Sequence, residues 1–362
     1  MTSRERLLTA LNRGQPDRLP GTIHCWQDYY LNTYLGGIDQ YEAFRKFGLD
    51  ASIYISPMVQ PQTADWVTTT VVTERTPEIT RYEEQWSTPE GTLVRKMEAN
   101  AYTSWITEYP IKEPEQIYLL QKYLPVPKVD AEIVQKAQDH IGEDGIVRSF
   151  GFGFQPGIWQ DACQYVGTEK MILATFDDPT WVHEFLEILL EKKLQYAEKL
   201  KGVPLDLVET GGGDASTTVI SPKLFREFCL PYDKLLHAAL HDAGMRVVYH
   251  TCGGMMPILE SIVENGCDAI ETLTPKKIGG DVNLGEVKRR VGDKVCMIGG
   301  MNQFHGLQLG TPETVKRMVR RAFEEAGAGG GYILSTCDHF FEAPIKNLEA
   351  YGSAAKEVAR YH

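Results

Sequence analysis

A chain of 362 residues with 43% apolar residues is long enough to bury a large core and too apolar for a disordered protein. Its formal charge of -12 argues against nucleic acid or an anionic membrane surface as the main partner, and no apolar run approaches the roughly 20 residues of a membrane helix. The opening Met1-Thr-Ser-Arg-Glu-Arg6 has no apolar signal stretch, so a cytoplasmic location is expected, where seven scattered cysteines are read as buried small side chains or metal ligands rather than disulfides.

In chain order, Arg4–Leu11 carries a helical pattern, and Gly21–Trp26 and Ala51–Ser56 read as strands with a helix, Tyr41–Phe47, between them. The stretch Thr63–Tyr109 departs from that alternation. It is rich in Thr, Val, Tyr and Trp, with turn signals at Thr76–Pro77 and Pro89–Glu90–Gly91, and is predicted to be an inserted antiparallel meander serving as a cap or interface. Gly145–Gly151 is the third strand, followed by helical stretches Gln160–Phe176 and Thr180–Lys199. From there strand and helix alternate. Leu205–Glu209 is a strand, Ser221 caps a helix with Pro222 in its first turn, and Arg246–His250 is a strand. Pro257–Asn265 is a helix, Ala269–Leu273 a strand, Leu284–Val291 a helix and Val295–Ile298 a strand. A helix opening at Thr311–Pro312, the strand Tyr332–Ser335 and a closing helix Ile345–Tyr361 complete the chain. Eight strands alternating with helices imply an α/β fold, a (β/α)8 TIM barrel, with residues 1–362 forming one domain and 63–109 inserted in it. A doubly wound open sheet is the alternative.

The segment Tyr249–His250–Thr251–Cys252–Gly253–Gly254 sits where a strand ends. Residues i and i+2 of an extended chain face one side, so His250 and Cys252 can point at one ion. Imidazole nitrogen and thiolate are zinc's preferred ligands. Such a pair alone is commonplace, but Cys337 lies at an equivalent strand end, and a barrel gathers its strand carboxyl ends on one rim. Glu271, near the end of the next strand, is the candidate for a fourth, exchangeable ligand. Cys25, beside His24, is read as core or pocket lining. Aromatic side chains cluster after strand ends: Trp26, Tyr29, Phe152, Phe154, Trp159 and Phe340 suggest an apolar pocket for a flat or methylated substrate. The glycines Gly211–Gly213 read as a tight turn.

These residues carry a resemblance. The opening helix from Glu5 to Pro20 and the run from Ile220 to Pro275 resemble the uroporphyrinogen decarboxylase superfamily, and the pattern His250-Thr-Cys252 plus Cys337 resembles its zinc-binding corrinoid methyltransferases. The run Asp268-Ala-Ile-Glu271-Thr is similar to the segment that supplies a glutamate zinc ligand in cobalamin-independent methionine synthase. The decarboxylase holds a polycarboxylate tetrapyrrole with arginines after its first strand, whereas His24–Gly37 here contains neither arginine nor lysine. The resemblance therefore implies methyl transfer rather than decarboxylation: a methyl group from a small donor, best matched by a methoxylated aromatic, passes to Co(I) of a separate corrinoid protein while zinc activates the donor. The chain shows no Asp-x-His-x-x-Gly corrinoid motif, so the cobalamin is expected on a partner. Glu209, Asp214, His305 and His339 are candidates to orient the donor or its leaving group, with Glu271, Glu209 and His305 assigned catalytic roles. Transfer from methylcobalamin to a thiol or folate is one alternative. A non-catalytic, zinc-containing corrinoid-binding protein is another, disfavoured because structural zinc usually has four close protein ligands.

Overall fold

The computed structural model describes every residue except Gln62, Phe154, Gln155, Val358, Ala359 and His362. Seven parallel strands, each hydrogen-bonded to the next, follow one another in chain order: β1 (Ala51–Tyr54), β2 (Gly145–Phe150), β3 (Leu207–Gly211), β4 (Val247–His250), β5 (Ala269–Thr272), β6 (Cys296–Met301) and β7 (Tyr332–Thr336). They are buried along nearly their whole length, as a parallel sheet wrapped by helices requires.

The eighth stave is not a regular strand. The segment expected as strand Gly21–Trp26 closes the ring through a few bonds: Leu334 N donates to Pro20 O (2.9 Å), Thr22 N to Leu334 O (2.8 Å) and Asp50 N to Gly21 O (2.8 Å). Gly21 permits this closure because a Cβ there would lie 2.8 Å from the Ala355 Cβ of the last helix, Ile345–Glu357. The fold is the expected TIM barrel.

Helix boundaries follow the sequence signals. Ser221 Oγ accepts from Leu224 N and Thr311 Oγ1 from Thr314 N. Three differences have local causes. The stretch expected as one helix over Gln160–Phe176 divides at Gly167, whose φ of +101° interrupts it, into Ile158–Val166 and Thr168–Asp177. The helix after Ser221 passes through a π turn at Phe225–Cys229 before continuing as Leu230–Asp242. Helices Asp28–Tyr34, Ile117–Tyr123 and Ala131–Ile141 are present where the periodicity marked none.

The insertion is a four-stranded antiparallel meander of Val67–Arg75, Thr80–Thr88, Gly91–Ala99 and Ser104–Glu108. Nine residues of strand reach about 30 Å. At one end Trp86 packs 6.5 Å from Tyr165, in the helix after β2; at the other, Tyr102 packs 4.7 Å from Tyr29, in the helix Asp28–Tyr34 after the first stave, and 5.0 Å from Phe341, in the loop after the last. Resting at both ends on segments that follow strand carboxyl ends, the sheet forms a cap on that side of the barrel. Among the described residues no helix is long and apolar enough to cross a membrane.

One buried polar contact makes the fold pH-sensitive. His237 is fully buried, with Nε2 2.8 Å from Thr210 Oγ1 and Nδ1 3.0 Å from Asn265 O. Burial holds its pKa down to about 4. The unfolded chain takes up this proton first, so the contribution is complete above the free histidine range and is lost as pH falls towards 4, a change of about 3 kcal/mol. Denaturant titrations of wild type and His237→Gln from pH 7 to 4 should show a flatter stability curve for the variant; parallel curves would remove His237 as the source.

Candidate metal centre

Six neighbouring staves each send one side chain into the mouth. They are His24 from the irregular stave, Tyr54 from β1, Arg148 from β2, Glu209 from β3, His250 from β4 and Glu271 from β5. Register produces the convergence: Tyr54 pairs across from Arg148, and His250 from Glu271. Glu209 lies across from Phe150 and Val248, two residues further along than the Arg148 level, as a sheared barrel demands.

Arg148, 2% exposed, is the hub. Its Nη1 donates to Glu271 Oε2 (3.0 Å) and its Nη2 to Glu271 Oε1 (2.9 Å) and Glu209 Oε2 (2.6 Å). The guanidinium lies 4.3 Å from the centre of the Tyr54 ring, and the Tyr54 hydroxyl donates to Glu209 Oε2. His250 Nδ1 faces both carboxylates, 3.2 Å from Glu271 Oε1 and 3.4 Å from Glu209 Oε1. His24 stands beside it, ring centres 5.2 Å apart, and 5.6 Å from the His339 ring.

The two carboxylates share the cation unequally, and their proton affinities separate. Burial, reinforced by Glu271, pushes Glu209 up to about 7. Burial would also raise Glu271, but Arg148, His24 and His250 overcome it and hold that carboxyl well below its usual range. For His250, burial opposes protonation, yet Glu209, the neighbouring Cys252 thiol and Glu271 raise it well above the ordinary imidazole value. Burial lowers His24 and His339.

His24, His250 and Glu271 each offer a ligand atom within 4.8 Å of the others. Imidazole nitrogens, a carboxylate oxygen and an adjacent thiol are a donor set that fits zinc. Of the ligands expected from sequence, His250, Glu271 and Cys252 meet here. Gly213 makes room for Cys252, since a Cβ at that glycine would lie 2.8 Å from the thiol sulfur. Cys337 is buried nearby on the rim, but its thiol turns to Leu273 O (3.6 Å) and burial pushes it up to about 12.

The other expected site residues separate. Glu209 belongs to the cluster. His339 adjoins it, held by Gln27 Nε2 at 2.9 Å from Nδ1. Asp214 accepts from Gln160 and Thr168 and is tied to the two helices that follow β2. His305 is exposed, in the π turn after β6, and packs on Phe304 with ring centres 5.1 Å apart. Trp26, Trp159 and Phe340 pack in the apolar core rather than forming an open rim: Trp26 lies among Tyr30, Phe44, Phe47 and Phe340, and Trp159 against Phe228 with its Nε1 donating to Asp214 O. Tyr29 meets the cap. Phe154 lies outside the described residues. Phe152 lines a cavity of about 470 Å3 under the cap, walled also by Met58, Trp66, Trp86, Tyr165 and Glu84. That cavity contains none of the cluster's side chains, but Ser56 and Phe152 in its wall lie two residues beyond the stacked pair Tyr54–Phe150 (4.8 Å), so it adjoins the cluster.

Sequence reading passed over Tyr54, Arg148 and the His24 ring. One signal was available: an arginine inside the strand Gly145–Gly151 must find buried counter-charges.

Residues 95–358 match the family model described as uroporphyrinogen decarboxylase (URO-D). A uroporphyrinogen decarboxylase of Thioalkalivibrio sulfidiphilus is 30% identical over 244 residues, 63% of this chain and 64% of that protein. A methylated-thiol–coenzyme M methyltransferase of Methanosarcina mazei is 24% identical over 197 residues, 54% of this chain and 50% of that protein. The chain thus spans less than two thirds of the length of either relative. Among solved structures, a methyltransferase from Methanosarcina mazei superposes with a TM-score of 0.68 at 16% identity over 99% of both chains, a likeness of fold.

Removing the hub should be costly. Arg148→Met leaves two buried carboxylates with only the His250 imidazole between them as counter-charge, an expected loss of about 3–5 kcal/mol near neutral pH. Because protonation relieves those carboxylates, the gap to wild type should narrow as pH is lowered from 7.5 to 5.5. Chemical denaturation at both values checks this; an equal gap at both would mean that repulsion is not the cause.

Proposed function

Since the chain belongs to the uroporphyrinogen decarboxylase (URO-D) family, we propose that it is a methyltransferase that uses zinc at this cluster to move a methyl group from a small methoxylated aromatic to Co(I) on a separate corrinoid protein. The observation that supports it best is the set of nitrogen and oxygen donors His24, His250 and Glu271, with the Cys252 thiol beside His250, at the carboxyl ends of adjoining staves, where barrel enzymes carry their chemistry. Cys337 completes the set by turning from Leu273 O. Zinc bound there supplies a Lewis acid for the departing heteroatom and lowers the pKa of whatever thiol or phenol reaches it.

The remaining work falls to the chain's own side chains. Glu271 is held by both Arg148 nitrogens, so it keeps its negative charge and can yield its place to substrate without collapsing the site. Glu209, with Tyr54 on one oxygen and His250 near the other, stands where it can hold a proton for the leaving oxygen. The cavity walled by Trp66, Trp86, Tyr165 and Phe152 offers flat apolar surfaces for an aromatic donor. In the transfer the carbon–oxygen bond breaks with its electron pair left on the phenolate oxygen, and the pair on Co(I) forms the new cobalt–carbon bond, giving methyl-Co(III).

Decarboxylation of a polycarboxylate is a poorer fit. Arg148 has both terminal nitrogens committed to Glu209 and Glu271, and the stretch 24–37 has no arginine or lysine. The Methanosarcina mazei relative's name favours, as a second reading, a methylated thiol or a thiol acceptor.

Two measurements check the proposal. Metal analysis of purified protein should give about one zinc per chain, most of it lost in Cys252→Ala and Cys337→Ala with the barrel still folded; unchanged content in both would remove the cysteines from the site. Mixing the protein with reduced corrinoid protein and a methoxybenzene should convert Co(I) to methyl-Co(III), followed by absorbance. Turnover with a quaternary methylamine but no methoxybenzene would sink the aromatic assignment. Demethylation of methyl-Co(III) by a thiol or folate, with no donor active, would reverse the direction.

A further inference from the structure

His24 is 6% exposed, yet among the described residues its ring makes no hydrogen bond. Its Nδ1 lies 3.9 Å from Glu271 Oε1, too far for such a bond. No hydrogen bond commits the ring nitrogens to a protein partner, so they are available to a further group. The backbone leaves little freedom to turn it away: His24 N donates to Thr336 Oγ1 at 3.0 Å, and the stave is pinned between β7 and β1 by the closing bonds around Gly21. The ring is also boxed by His250, His339 and Tyr54, with centres 5.2, 5.6 and 6.0 Å away.

We infer that His24 is a protein ligand of the metal in the substrate-free enzyme, completing a two-imidazole, one-carboxylate set with His250 and Glu271. This rests on the metal reading above and names a ligand that the His-x-Cys…Cys pattern does not contain. Two ligand atoms on one zinc, each about 2.0–2.2 Å from it, stand at most a little over 4 Å apart. The three groups here already lie within 4.8 Å of one another, so a shift of under about 1 Å brings them onto one ion. Cys337 is not so placed. Its thiol turns to Leu273 O at 3.6 Å, so joining the metal requires rotation. The nitrogen and oxygen donors therefore stand nearest to ligand positions, and Cys337 joins them by rotating onto the metal. A set with two imidazoles and a carboxylate also admits Co(II) and Fe(II), unlike a thiolate-rich site.

The test uses the full-length protein, freed of any purification tag and loaded with zinc without substrate. X-ray absorption at the zinc edge should show two imidazoles in the wild type and one in His24→Ala. Competition with a chromophoric chelator should show zinc affinity falling at least about tenfold in His24→Ala, in line with loss of one ligand. Thermal unfolding of the metal-free forms should agree between wild type and variant. One imidazole in the wild-type spectrum, or unchanged affinity in the variant, would overturn the assignment of His24 while leaving zinc on the other residues. Absence of any zinc binding by the wild type would overturn the metal reading itself. The wild-type spectrum decides the matter even if His24→Ala fails to fold.

Discussion

A single buried guanidinium dictates where every other charge in the barrel mouth can stand. Without Arg148, Glu209 and Glu271 would face each other in a low-dielectric interior, where like charges repel strongly. With it, one carboxylate takes both guanidinium nitrogens and the other takes one plus the Tyr54 hydroxyl. That inequality makes Glu271 the charged member and Glu209 the one with affinity for a proton. The imidazole of His250 is held between them. Metal affinity, on this view, is a property of the whole layer, because the ligands are oriented by partners that never touch the ion.

The scaffold explains how six residues spread from 24 to 271 come to share that layer. Short strands buried on both faces leave few inward positions, and the shear of the ring brings the end of one stave beside the middle of the next. The irregular closing stave is part of this. A regular strand would have alternated its side chains through the core, whereas the bonds around Gly21 let the chain leave the ring early and turn the next residues over the mouth. The meander then caps that side of the barrel from Tyr165 to Tyr102 and Tyr29, placing its tryptophans above a cavity beside the charged layer.

Much of the scaffold was legible in the sequence, because strand and helix periods differ and turn residues punctuate them. The meander could be read from Thr76–Pro77 and Pro89–Gly91, which do fall at its turns. The centre was legible in part, through His250-Thr-Cys252 and the strand-end acids Glu209 and Glu271, which stand together in the cluster. Tyr54, Arg148 and His24 were hidden because their meaning comes from partners more than 50 residues away, and pairing at that range is set by barrel register, which no local pattern encodes. The aromatic residues misled for the opposite reason. Trp26, Trp159 and Phe340 follow strand ends, yet a loop leaving a strand must cover the core beneath it, and large apolar rings serve that purpose first. Cys337 shows a limit of another kind: reading a strand end fixes where a residue stands but not which way its thiol turns.

On the proposed function, the protein holds its metal ion in this charged layer, organised by Arg148. Crystals of the zinc-loaded protein, with anomalous diffraction recorded on both sides of the zinc edge, test it most directly. The expected result is one strong anomalous peak within coordination distance of His250 and Glu271, roughly 2.0–2.2 Å, with the guanidinium still bridging Glu209 and Glu271. A peak elsewhere in the molecule, or none at the mouth while that bridge stands intact, would contradict the account.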